Sequence, residues 1–147
     1  MLLIGTRNTS SQEVLTDGVI NVGNTYRRYC KKASNCLPTF VNNANGITLN
    51  GNGIYHITAT FVGSGTEAGV VTIQALENGI EILGEFSSET ITTADTELRT
   101  FVLDFYVLVD STCLLGCETT VSKTISFQNT GVGATFTSVV VNAEKVV

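Results

Sequence analysis

Residues 45–62 read NGITLNGNGIYHITATFV. From Ile54 to Val62 the stretch alternates. Tyr55, Ile57, Ala59 and Phe61 fall on one face, and His56, Thr58 and Thr60 on the other. A period of two is that of a β-strand, whose successive side chains leave opposite faces. Asn52-Gly53 supplies turn chemistry before this strand, and Gly63-Ser64-Gly65 is expected to end it. His56 is the one histidine of the chain, so the same stretch decides whether an active site need be sought.

The pattern repeats on both sides. Val71, Ile73 and Ala75 alternate with Thr72 and Gln74. Phe101, Leu103, Phe105, Val107 and Val109 alternate with Val102, Asp104, Tyr106 and Leu108. Ile125 and Phe127 flank Ser126, and Val139, Val141 and Ala143 alternate with Val140, Asn142 and Glu144. Asn78-Gly79 separates GVVTIQALE from IEILGEF, which predicts a two-residue hairpin. Gly131 and Gly133 punctuate the last two runs, and the single proline, Pro38, is placed in a loop. No helical stripe exceeds about two turns. Eight or so short strands at spacings of about 8–12 residues predict an all-β antiparallel sandwich or jelly roll. Residues 1–25 are less regular and read as an arm or as a first edge strand.

At 147 residues the chain is expected to be one domain, with neither an internal repeat nor a linker. A chain of this size buries roughly 68–70% of its unfolded surface, enough for a core without staples. Charged residues are only 14%, against roughly 25% in ordinary globular domains. Thr, Val, Asn and Gly take their place, and these are strand and turn residues. Low charge also fits a surface partly hidden in an oligomer. The net charge of −5 is uneven. Residues 1–40 carry 5 basic and 2 acidic side chains, and residues 41–147 carry 3 basic and 11 acidic. An acidic body argues against nucleic acid as a partner. No apolar run approaches the roughly 18 residues of a membrane span. The start, MLLIGTRNTSS, lacks a signal-peptide core and a preceding basic residue. The expectation is a protein kept in the cytosol, or released without a signal, as by assembly into a virus particle and lysis.

The candidate chemistry is sparse. His56 shares its face with Thr58 and Thr60, and no GxSxG, HExxH or GxGxxG accompanies it. It is read as a strand histidine at an exposed or subunit-contact position, so no catalytic residue and no cofactor is expected. Cys30/Cys36 and Cys113/Cys117 are spaced C-x5-C and C-x3-C. Reduced thiols, a disulfide within each pair and a four-cysteine metal site all stay open, although no spacing is that of a tight zinc knuckle. YRRYCKK interleaves Tyr26 and Tyr29 with Arg27, Arg28, Lys31 and Lys32. It is read either as a solvated loop or as a dock for an acidic protein surface. Glu77, Glu81, Glu85 and Glu89 recur every four residues, but the Asn78-Gly79 turn assigns them to a hairpin. Asp95, Thr96 and Glu97 offer loop oxygens to calcium without the usual acid-rich signature.

In order and spacing, Ile47-Thr48-Leu49, Gly53-Ile54-Tyr55, Val71 to Gly79, Phe101 to Asp110 and Phe136 to Val146 resemble one family. It comprises the small jelly-roll domains of phages and prophages of Firmicutes, within the broader fold of tumour-necrosis-factor and complement globular-head domains. The resemblance covers about residues 40–147 and leaves residues 1–40 outside. It implies a homotrimeric jelly-roll domain at 41–147. The charge asymmetry, not the resemblance, then makes residues 1–40 an N-terminal arm or edge segment expected to face the capsid. The resemblance implies that the trimer is held through aromatic residues of long strands, with Tyr55, Phe61, Phe101, Phe105, Tyr106 and Phe136 as candidates. Arg27, Arg28, Lys31 and Lys32 are then candidate contacts to the major capsid protein. The function implied is a capsid (head) decoration protein of a tailed bacteriophage, a virion structural protein made in the bacterial cytoplasm. Alternatives are a head-fibre or receptor-binding tip that recognises a host-surface glycan or protein, and a small hydrolase built on His56.

Overall fold

The computed structural model describes residues 2–30, 39–110 and 122–147. Eleven strands and no helix are found among the described residues. They are β1 (Leu2–Asn8), β2 (Gln12–Val14), β3 (Asn24–Cys30), β4 (Phe40–Asn42), β5 (Ile47–Asn50), β6 (Gly53–Gly65), β7 (Gly69–Glu77), β8 (Ile80–Ile91), β9 (Arg99–Val109), β10 (Ser122–Asn129) and β11 (Ala134–Lys145). Two antiparallel sheets stack face to face. One runs β3-β1-β11-β6-β9, with β2 also paired to β11, and the other runs β4-β5-β10-β7-β8. The fold is the antiparallel jelly-roll sandwich that the alternation predicts.

The opening stretch explains why. In β6, Tyr55, Ile57, Ala59 and Phe61 are buried while His56 and Thr58 are half-buried and Thr60 is exposed. In β9 every second residue from Phe101 to Val109 is buried and the intervening ones are exposed. Sheets packed through one face show this alternation. The two inner faces meet in one aromatic core. Phe127 of β10 packs edge-on against Phe61 and Phe105, at centroid distances of 5.2 and 6.5 Å. Phe136 of β11 joins through Phe61 and Phe101, each at 6.2 Å. Tyr55 donates from its hydroxyl to the Asn50 and Gly51 carbonyls, at 2.8 and 2.9 Å, so its polar tip is satisfied inside.

Five aromatic residues expected at the trimer contact are therefore core residues. Tyr55, Phe61, Phe101, Phe105 and Phe136 are all buried within one protomer. They sit on the inward register of β6, β9 and β11, where the second sheet covers them. Tyr106 alone of the six is on the opposite register, and it is exposed.

Two further expectations change. Residues 2–30 are not an arm apart from the sandwich. β1 is paired on both sides, to β11 and to β3, and its Ile4 is fully buried. Ile20 and Val22 of the following connection are fully buried as well. Among the described residues, β3, paired to β1 alone, and the short β2, paired to β11 alone, have the edge position expected of this segment. Gly63-Ser64-Gly65 does not end the strand either, because β6 runs through it, paired to Ala134–Phe136. A Cβ at Gly63 would meet the Thr135 carbonyl oxygen at 2.6 Å, so the glycine permits the close strand approach beside the β11 bulge.

The Asn78-Gly79 hairpin is present. Glu77 pairs with Ile80, and φ is +52° and +79° at the two turn residues, as a type I′ turn requires. Glu77, Glu81, Glu85 and Glu89 lie on this hairpin, exposed or half-buried. The cysteine pairings, which turn on Cys36, Cys113 and Cys117, lie outside the described residues. So do Lys31 and Lys32.

Candidate functional site

The outer face of the first sheet carries the most unusual chemistry. Its β9 edge is apolar. Val102, Tyr106 and Leu108 alternate outward and are 59%, 65% and 57% exposed, and Ile54 of β6 lies opposite Leu108. They project outward because the inward register of β9 is already filled by Phe101 to Val109. Asp104 interrupts the strip.

Asp104 is the carboxylate that sequence reasoning did not connect to His56. The imidazole Nε2 lies 2.5 Å from Asp104 Oδ1, and the ring stacks on Tyr106 with centroids 4.7 Å apart. The register explains the meeting. His56 is opposite Tyr106, and Asp104 is opposite Thr58, one rung along the same face. Diagonal neighbours on a sheet face come within reach of long side chains. The alternation of β9 held this signal, since Asp104 and Tyr106 share its outward register. On the other side of His56, Glu144 of β11 stands directly opposite. A histidine between two carboxylates and beneath a tyrosine fits an ion-pairing surface.

The β3 edge of the same face is basic. Arg27 and Arg28 are consecutive strand residues, so they leave opposite faces. Arg28 is opposite the inward Ile4, and Arg27 is opposite Gly5. Arg27 instead joins Arg7 of β1, which the charge run did not include. The two guanidinium carbons lie 4.8 and 5.0 Å from the centroid of the Tyr26 ring. Arg27 also donates to the Tyr26 hydroxyl at 2.6 Å, and that hydroxyl donates to Asn142 Oδ1 at 3.3 Å. Gly5 forms the floor. A Cβ there would come within 2.9 Å of both Arg27 Cγ and Tyr26 Cε1. The β3 bulge opposite Gly5/Thr6 makes room for Tyr26 on this face.

The loop proposed for calcium uses its carboxylate internally. Glu97 Oε2 accepts from the Thr92 and Thr93 N–H groups, at 2.6 and 3.0 Å, and from the Thr92 hydroxyl at 3.0 Å. Arg99 holds its other oxygen. The Thr93 and Thr92 amides lead in lowering its pKa from 4.5 to about 2. Among the described residues, no three His, Cys, Asp or Glu side chains are grouped to hold a metal. A hollow of about 230 Å³ beside the β7–β8 turn is lined by Glu77, Asn78, Ile80, Glu81 and Ile82. It is smaller than the roughly 300–1,000 Å³ of usual ligand pockets.

No family model and no curated protein matches the sequence. Solved structures match in fold. The globular domain of zebrafish complement 1qA protein superposes with a TM-score of 0.62 at 6% identity, over 100% of this chain and 98% of that one. The tumour-necrosis-factor Eiger from S. frugiperda gives 0.67 at 8% identity, over 100% and 94%. The PRD1 vertex protein P5 gives 0.55 at 15% identity, over 99% and 97%. The chain thus has the jelly-roll fold of complement-head and tumour-necrosis-factor domains, shared with a viral vertex protein.

Proposed function

We propose that this chain is a non-enzymatic structural protein of a virus particle. It is a homotrimer that decorates the capsid of a tailed bacteriophage, binds the major capsid protein and stabilises the shell. The outer face of the first sheet carries the reading. Val102, Tyr106 and Leu108 stand in solvent although the sandwich closes its core without them. Clustered exposed apolar side chains mark protein contact sites. The fold shared with a vertex protein supports a place on a virion.

The capsid contact is assigned to the β3 end of the molecule. Among the described residues β3 ends the first sheet, and Arg28 is exposed on the side away from Arg7 and Arg27. Lys31 and Lys32 follow it in the chain. Three copies of a modest contact bind with high avidity when all engage together. The test is sedimentation of purified protein with empty capsids. An Arg28→Glu/Lys31→Glu/Lys32→Glu variant should stay trimeric and lose capsid binding by at least ~10-fold at moderate salt. Unchanged capsid binding would overturn the contact. Selective glycan binding by a protein that ignores capsids would replace the whole reading with a receptor-binding tip.

A further inference from the structure

Two oppositely charged clusters lie at opposite edges of one sheet face, and each is incomplete. On the β1–β3 side, Arg7 and Arg27 flank Tyr26, and neither guanidinium meets a carboxylate among the described residues. Two cations near one ring repel each other and leave donors aimed at solvent. A carboxylate placed between them satisfies both, because guanidinium groups bind carboxylates through parallel N–H donors. On the β9 side, the Asp104 side chain is 62% exposed although His56 engages its Oδ1. It stands in the apolar strip of Val102, Tyr106 and Leu108, where a contact that excludes water strengthens an ion pair.

We propose that copies of this chain associate head to tail, with the β9 edge of one seated on the β1–β3 side of the next. The Asp104 carboxylate of the first is received between Arg7 and Arg27 of the second. The apolar strip of β9 then covers Tyr29 and Leu3, which lie opposite each other on β1 and β3 beside the arginines. The proposal rests on the homotrimer reading and names the contact that closes the ring. Stacking the face on itself about a two-fold axis along its centre is disfavoured. It lays the central strand β11 over its own copy and sets Glu144 against Glu144. A head-to-tail contact avoids that clash, and it forms a ring when the rotation between copies closes, as the homotrimer reading requires.

Light scattering and native mass measurement of the full chain at low salt test it. The wild type should be a trimer. Arg7→Glu/Arg27→Glu and Asp104→Arg, made separately, should each weaken association by at least ~10-fold. These side chains are surface groups, and circular dichroism should show both variants folded. Combining all three changes in one chain restores opposite charges at every contact, and the trimer should return. A 1:1 mixture of the two separate variants discriminates further. A ring of three leaves one contact mismatched and recovers only in part, whereas a two-fold dimer is fully matched. A trimeric wild type whose association ignores both charge reversals would overturn this contact and leave the homotrimer reading intact. A wild type monomeric at high concentration would overturn the homotrimer itself.

Discussion

Phe127 is the residue on which the two halves of the core lean. It contacts Phe61 and Phe105 across the sandwich, and its own strand lies at the centre of the second sheet. Replacing it with alanine should leave an apolar cavity between the sheets and cost about 3–5 kcal/mol, read from urea unfolding. Glu97 makes a different prediction. The Thr93 and Thr92 amides depress its folded pKa to about 2 from 4.5. Since the folded value is the lower one, its contribution is complete above about pH 4.5 and is lost as pH falls through about 2. A carboxyl NMR titration should find this midpoint well below the ordinary 4.5. A Glu97→Gln variant should lose that part of the acid dependence, and a Glu97 midpoint near 4 would refute the capping geometry. His56 shows what residue-level reading misses. Its strand neighbours Thr58 and Thr60 are visible in sequence, but its partners Asp104 and Tyr106 belong to β9, and only the register brings them together.

At the scale of the element, the β7–β8 hairpin offers a clean backbone test. Gly79 has φ +79°, and a Cβ there would meet nothing within 4 Å. Gly79→Ala should therefore cost about 1–2 kcal/mol through conformation alone, measurable as a shift in the unfolding midpoint without new contacts. Long strands with strict alternation were legible in sequence, because a face buried against a second sheet imposes period two. That is why β6, β9 and β11 and the turn at Asn78-Gly79 stand out in the sequence. β1 was not legible. Its inward residues are Leu2, Ile4 and Thr6, and the Thr6 hydroxyl is buried with no hydrogen-bond partner among the described residues, so a polar side chain interrupts the apolar alternation of this short strand. β3 is polar because it is an edge, and its seven residues NTYRRYC look like a loop until β1 is beside them. The charge run misled for the same reason. Linear adjacency joined Arg27 to Arg28, while pleating separates them and pairs Arg27 with Arg7. Aromaticity likewise marked the right strands, but only their register divided inward Phe101 and Phe105 from outward Tyr106.

For the whole molecule, the faces of the sheets divide the labour. The inner faces hold the aromatic core, and the outer face of the first sheet carries an apolar strip broken by Asp104 at its β9 edge and a basic cluster at its β3 edge. Val102→Ser/Leu108→Ser should leave the melting temperature of the isolated protomer within a few degrees, since both side chains are exposed there. The same pair should reduce the trimer population seen by sedimentation, and unchanged assembly would move the interface elsewhere. The placement of β11 has one more consequence. It lies between β1 and β6 and pairs with both along most of its length. During synthesis the ribosome delivers β1 and β6 long before residues 134–145 exist, so the nascent first sheet holds a strand-wide gap with two open edges. The sandwich closes only when that late strand inserts. Folding is therefore dominated by contacts between sequence-distant segments, which puts it in the slow, millisecond-to-second range of β-rich domains. Until insertion, the open edges of β1 and β6 are vulnerable to pairing with the wrong chain.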